Sequence, residues 1–242
     1  MEAKIKEYYL KFEKIYNREN YPEWFEYFNS YNEKKGYSDK GYIDYEDGHE
    51  LGHYAILQNA LPKKTKIILV GKNNSWFDES CMRNSLKIVK GLKDNIPSEN
   101  HLINKKSLYS KKLNQIFNEP ELKNLLMRHT LGMNRVWLQS GPEDSAIKFM
   151  KATMTGTFIG SSLVDKCSQW TKEIIRIINP EILILFGNEN DSNSAQRLFR
   201  ENADESFAIK HCYHPCNRKE DGVSLIRNQI KSVLRKNELL QS

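Results

Sequence analysis

An α/β fold, a three-layer α/β/α sandwich around a short, mainly parallel four-stranded sheet with a helical N-terminal extension, is the architecture this chain predicts. Three observations predict it. Short apolar runs at 66–70, 134–138, 181–186 and 206–210 are separated by helical stretches, the alternation of strand and crossover helix that builds a parallel sheet. The run Glu181-Ile182-Leu183-Ile184-Leu185-Phe186-Gly187 is continuous in hydrophobicity, as a strand covered on both faces must be. A composition 39% hydrophobic and 11% aromatic over 242 residues is ample for a packed core.

Residues 1 to about 60 read as helical and unusually aromatic. Tyr8, Tyr9, Phe12, Ile15 and Tyr16 recur at helical spacing, Pro22 opens Glu23-Trp24-Phe25-Glu26-Tyr27-Phe28, and nine of the twelve tyrosines precede residue 46. A helical layer packed on the core explains this better than a base-stacking surface. The stretch from Gly36 to Gly48 is a loop rich in Tyr, Asp and Gly. Lys66-Ile67-Ile68-Leu69-Val70 then reads as the first strand, followed by the loop Gly71-Lys72-Asn73-Asn74-Ser75-Trp76. Ser161 to Asn179 forms an amphipathic helix with Leu163, Val164, Cys167, Trp170, Ile174, Ile177 and Ile178 on its apolar side, stopped by Pro180. Phe207-Ala208-Ile209-Lys210 leads into His214-Pro215-Cys216-Asn217-Arg218, and the last helix, Gly222 to about Leu240, is basic on one side through Arg227, Lys231 and Arg235. With no internal repeat or low-complexity linker, the division expected is an N-terminal extension over 1–60 and an α/β domain over 61–242.

Several classes of function are disfavoured. Met1-Glu2-Ala3-Lys4-Ile5-Lys6 is not an apolar signal segment, and no run reaches bilayer length, so a cytoplasmic protein without a membrane partner is expected. Cys81, Cys167, Cys212 and Cys216 lack C-x-x-C spacing, which argues for reduced thiols over a zinc ribbon or iron–sulfur cluster. Thirty-seven Lys plus Arg against 31 Asp plus Glu, a net +6, favour polyanionic partners through counterion release.

His49-Glu50-Leu51-Gly52-His53 spells H-E-x-x-H, which on a helix would bring two imidazoles to one zinc ion with a glutamate to activate water. A third ligand such as His101 or Glu79 lies in no second motif, so a zinc peptidase is the minor reading. Both main loops, by contrast, sit where parallel strands end, the position at which open α/β sheets bind ligands.

A strand ending in Gly-x-Asn (Gly71-Lys72-Asn73), an Asn179-Pro180 step before an apolar strand ending in Gly187-Asn188, and a late strand ending in His214-Pro215 together resemble the uracil-DNA glycosylase superfamily. The mismatch-specific and single-strand-selective branches, with Gly-x-Asn-Pro-Gly and His-Pro-Ser motifs, are the nearest in pattern. The likeness spans about residues 64–238. It implies a monofunctional glycosylase, probing DNA that is single- or double-stranded, as a monomer, with no metal and no organic cofactor. Within it Asn73 matches the amide that orients water beneath the sugar, and His214 the imidazole that stabilises the departing base. Trp76 and Phe77 are stacking candidates for a base rotated out of the helix, and Gln139 stands at the position that reads its edge. Lys72 and Ser75 match phosphate contacts, and Asn217 with Arg218 stands where a wedge enters the duplex. Asn74-Ser75 in place of Pro-Gly, and Cys216 in place of Ser, imply an altered pocket suited to uracil or to a modified pyrimidine. A non-catalytic nucleic-acid-binding module using the basic last helix and the aromatic N-terminal region is the third reading.

Overall fold

Aliphatic residues side by side on a strand point to opposite faces of the sheet, so a strand without polar positions has to be covered twice. The computed structural model, which describes residues 1–15, 19–20, 45–46, 49–50, 56–75, 100, 102–103, 108–140, 163–188, 190, 194–201, 203–216 and 221–240, does this with helices on both sides. In chain order the elements are α1 (Glu2–Ile15), β1 (Tyr45–Glu46), β2 (His49–Glu50), β3 (Ile67–Ser75), α2 (Leu108–Ile116), α3 (Pro120–Arg128), β4 (Thr130–Ser140), α4 (Leu163–Ile178), β5 (Ile182–Phe186), β6 (Ala208–Cys212) and α5 (Gly222–Lys236). Strands β3 to β6 form one sheet in the order β4-β3-β5-β6, every pair parallel.

The pleat sorts the core into two layers. Ile68, Val70, Leu183 and Leu185 pack with Phe12 of α1 and Cys167, Ile174 and Ile175 of α4. Ile67, Leu69, Ile182, Ile184 and Phe186 face Leu113 of α2, Leu122 and Leu126 of α3, and Ile226, Ile230 and Leu234 of α5. Each such aliphatic side chain, wholly buried, contributes about 1.5–3 kcal/mol of transfer free energy.

Helix α1 belongs to the first layer through Ile5, Tyr9 and Phe12, the last lying 5.3 Å from the Trp137 ring. Trp137 is wholly buried, and its Nε1 donates to Thr171 Oγ1 at 3.0 Å. That bond explains why Thr171 and Ile175, with Leu163, Val164, Cys167, Ile174 and Ile178, form the buried stripe of α4, while Trp170 and Ile177 are half-buried. The helix ends as its sequence suggests, with Asn179 at φ 50° and its amide bonded to Ile175 O before Pro180.

Three sequence expectations change. The stretch Gly71–Ser75 is not a loop: β3 runs on through it, paired with β4. Polar residues extend a strand there because β4 supplies ladder partners, which hydrophobicity cannot report. The strands read at 134–138 and 206–210 lie at 130–140 and 208–212. Tyr45 and Glu46, read as part of a loop, and His49 and Glu50, which the H-E-x-x-H spacing would need on a helix, instead pair antiparallel as β1 and β2, Glu46 opposite His49 and Tyr45 opposite Glu50. The Asp-Gly dipeptide between those paired residues is a strong two-residue hairpin signal, and it outcompetes the helix.

The free edge of β4 is covered by residues 56–59. Leu57 bridges Met133 in antiparallel fashion, Gln58 N donates to Gly132 O at 2.8 Å, and Asn59 Oδ1 accepts from Gly132 N at 2.7 Å. An edge satisfied in this way is closed to pairing with other chains.

Candidate functional site

In the order β4-β3-β5-β6 the chain leaves β3 toward one edge and β5 toward the other. The crevice between their C-terminal ends is the switch point at which such sheets bind ligands. β5 stops at Phe186, level with the point where β3 passes Val70, and beyond it β3 and β4 continue as a pair. Asn73 pairs with Val136 and Ser75 with Ser140, so β4 carries extra residues and an irregularity at this rim.

His214 follows β6, two residues past Cys212, ahead of the buried Pro215. The Cys216 amide donates to its Nδ1 at 3.2 Å. An amide N–H can only donate, so Nδ1 is the acceptor in this bond. The imidazole lies 5.7 Å from the Tyr109 ring at 34°, and Tyr109 in turn meets Phe186 edge-on at 6.3 Å. Tyr109 stands in the first turn of α2, pinned where Ser110 Oγ and Asn114 Nδ2 both donate to Leu102 O at 3.1 Å.

Tyr109, His214 and Cys216 are each half-buried. Burial pushes the Cys216 thiol up to about 11, although Lys112 acts against the shift, so it stays protonated at neutral pH. Burial raises the Tyr109 phenol above its ordinary value too, and the Cys216 thiol adds to the shift. Among the described residues the Tyr109 hydroxyl is buried and has no hydrogen-bond partner. An unmet buried hydroxyl costs about 1–3 kcal/mol.

The rim around the crevice is braced by polar groups inside the protein. Arg135, 7% exposed, donates through Nε to Ser168 Oγ at 2.9 Å and through Nη1 to Ser194 O at 2.8 Å, tying β4 to α4 and to the segment after β5. A Cβ on Gly187 would lie 1.8 Å from Ser194 Oγ, so the residue after β5 has to be glycine. Gln196 Nε2 reaches Gly187 O at 3.3 Å and Cys212 O at 3.0 Å, holding the ends of β5 and β6 in step. Beside Gly71, the buried Asn134 accepts from Gln58 Nε2 at 2.8 Å. None of Tyr109, Arg135, Asn134, Gln58 or Ser194 was singled out by the sequence. Each is an isolated polar residue there, and only a buried arginine in the middle of an apolar strand gives any warning.

Of the residues singled out, His214 is described in full. Lys72, Asn73 and Ser75 are placed as backbone of β3, and Gln139 as backbone of β4. Backbone position 73 pairs with Val136 of β4, beyond the end of β5. The side chains of Lys72, Asn73, Ser75 and Gln139, and Trp76, Phe77, Asn217, Arg218, His53, His101 and Glu79 altogether, lie outside the described residues.

The competing motifs fare differently. His49 and Glu50 are strand residues, whose neighbours along the chain face opposite ways, so the one-turn spacing that H-E-x-x-H requires is not present at its start. No group of three or more metal-binding side chains occurs among the described residues. On α5, Arg227 donates to Ile116 O at 3.0 Å and Gln115 O at 2.6 Å, capping α2, and Lys231 pairs with Glu119 at 2.8 Å. Two of the four cations of α5 therefore serve the fold. The groove between these helices, about 550 Å3 and lined by Lys111, Asn114, Gln115, Asn118, Val223 and Arg227, lies on the outer side of the helical layer and not at the crevice.

No helix among the described residues is long and apolar enough to cross a membrane. Compared with known proteins, the chain matches no family model and no curated sequence.

Proposed function

We propose that this protein is a DNA glycosylase, a hydrolase that cleaves the N-glycosidic bond of a flipped uracil or modified pyrimidine in single- or double-stranded DNA, acting as a cytoplasmic monomer. The observation that carries this reading is the His214 ring just past β6, whose Nδ1 accepts the Cys216 amide, on the C-terminal side of the sheet where the switch point lies. Cleavage of the bond pushes negative charge onto the departing base and positive charge onto the sugar. With Nδ1 engaged as an acceptor, the ring is oriented so that its other nitrogen can serve as the donor to a base oxygen without the ring turning. The Tyr109 ring beside it, itself packed against Phe186, and a protonated Cys216 lower the local dielectric, so the hydrogen bond strengthens as charge develops.

The opposite task, orienting a water beneath the sugar, falls to Asn73, two residues beyond Gly71 on β3. An amide is a weak base, so positioning and leaving-group stabilisation supply most of the rate. Stacking by Trp76 and Phe77, edge reading by Gln139, and DNA contacts from Lys72, Ser75, Asn217 and Arg218 complete the reading on the strength of the motif resemblance. The commitment of Arg227 and Lys231 to internal bonds weakens the rival reading of a non-catalytic binder working through the last helix.

The test is incubation with single- and double-stranded oligonucleotides bearing uracil and modified pyrimidines, scoring abasic sites. Base release should fall about 10²-fold or more in both Asn73→Ala and His214→Ala, while DNA binding persists. Absence of product on every oligonucleotide would defeat the proposal.

A further inference from the structure

The groove between α2 and α5 is an opening of about 550 Å3 that the proposed chemistry does not use, and its size is that of a ligand site. Lys111, Asn114, Gln115 and Asn118 line one wall, at the i, i+3, i+4 and i+7 spacing that gathers side chains on one face of a helix. Val223 and Arg227 of α5 line the other, and no carboxylate is among the six. Arg227 spends Nε and Nη2 on Ile116 O and Gln115 O, and Asn114 donates to Leu102 O and Ser110 O, so these two build the walls. Lys111, Gln115 and Asn118 are exposed, and among the described residues no hydrogen bond or ion pair occupies their side chains. Val223, partly buried against the core, gives the groove an apolar floor.

The groove starts at the rim. Arg227 bonds to residues 115 and 116, and Lys231, one turn on, pairs with Glu119, so α2 and α5 run side by side in the same direction. At their common starting end Tyr109, two residues before Lys111, lies 5.7 Å from the His214 ring. Lys112 of the same turn is close enough to Cys216 to oppose the rise of its thiol. Charge is graded along the groove: Lys111 stands without an ion pair near the rim, whereas Glu119 at the far end is matched by Lys231.

Resting on the glycosylase reading for the identity of the polyanion, we infer that this groove seats a DNA strand: Lys111, Gln115 and Asn118 hold phosphates of the strand that flanks the extruded nucleotide. The ammonium neutralises a phosphate and releases its counterions, the two amides donate to phosphate oxygens, and the Val223 floor takes the apolar side of a sugar. From Lys111 to Asn118 the stripe covers about 10 Å at the helical rise, the run of about three phosphates along one strand. Arg227, already engaged, makes no phosphate contact.

The experiment measures binding of the full chain to a labelled uracil-containing oligonucleotide across salt concentrations, and base release from the same oligonucleotide. Lys111→Gln should weaken binding about fivefold at low salt and lower the slope of log affinity against log salt by about one, while Lys111→Arg keeps both. Adding Gln115→Ala and Asn118→Ala to Lys111→Gln should bring the loss to about tenfold or more. All three side chains are exposed, so melting temperatures should match the parent's. The loss should appear in KM, since a flanking phosphate is held equally before and during bond cleavage. Unchanged affinity and salt slope in Lys111→Gln overturn the inference and leave the glycosylase reading standing, as does a loss confined to kcat. Polyglutamate that competes as well as an unlabelled oligonucleotide of equal charge overturns it too, by making the groove a seat for acidic peptide. A parent whose binding depends on Lys111 but which releases no base from any oligonucleotide defeats the glycosylase reading alone. A parent that binds no DNA removes both.

Discussion

Along β3 and β5, positions 67–70 and 182–185 are aliphatic and wholly buried, whereas the buried polar groups around the rim come from β4 and from the segments beside the sheet: Asn134, Arg135, Ser194 and the hydroxyl of Tyr109. The faces are held by contact alone, and one methyl group more or less is a matter of volume. The rim is held by directed bonds: Arg135 to Ser168 and Ser194, Gln58 to Asn134, Gln196 to the ends of β5 and β6. The difference teaches where each kind of loss will be felt. A face tolerates substitution in proportion to volume, while the rim tolerates little because each group has one geometry.

The largest effect expected on stability is at a face. Ile184→Ala should cost about 2–5 kcal/mol in denaturant unfolding, with unchanged base release from the molecules that remain folded. A variant of full stability would break the contrast between face and rim. At the rim, Gly187→Ala should cost about 1–3 kcal/mol, because its Cβ would occupy the place of Ser194 Oγ, and it should reduce base release as well by displacing the segment that Arg135 anchors. Losing stability with no change in base release would separate the rim from the site.

Smaller again is Arg227→Met, which keeps the aliphatic stem of the side chain but deletes the cap on α2. About 1 kcal/mol should be lost, and affinity for DNA should not change, since this arginine is turned inward. A marked fall in DNA affinity would return the last helix to the binding surface.

The mildest probe is pH. Burial raises the thiols of Cys167 and Cys212 to about 12 from 9.0, and that of Cys216 to about 11. A group whose acid form is favoured by folding contributes stability that is complete below its unfolded pKa and lost as pH climbs toward the folded value. Unfolding free energy should therefore decline from about pH 9 upward. Alkylation of Cys216, followed by peptide mapping, should be slow at neutral pH and accelerate toward pH 11. Rapid labelling at pH 7 would show the rim to be wetter than the geometry describes. Glu119 shifts the opposite way: its bond with Lys231 holds the carboxyl below the usual range, so that contribution disappears as acid protonates it.

Much of this architecture is legible in the chain because burial leaves a periodic trace. The continuous apolar run of β5, the Asn179-Pro180 stop and the amphipathic stripe of α4 all follow from covering a sheet on two faces. His214 was legible for a related reason, since it ends a strand in a His-Pro step. What could not be read is whatever depends on a partner distant in sequence. Whether Gly71–Ser75 is a loop or a strand is decided by β4, some sixty residues later, offering ladder bonds. The helical promise of His49 and Glu50 gave way to pairing with Tyr45 and Glu46 across an Asp-Gly step.

The sequence by itself determined the layered α/β class and the imidazole at the end of the last strand, because hydrophobic period and proline placement are local properties of the chain. Tertiary structure alone decided that Tyr109 stands against that imidazole with an unmet hydroxyl, that Arg135 is spent bracing the rim, and that Arg227 and Lys231 of the last helix are bonded to α2 and to Glu119. The physical reason is that hydrogen bonds and charge pairs act between groups brought together only by folding, and an isolated polar residue gives no sign of the partner it will meet.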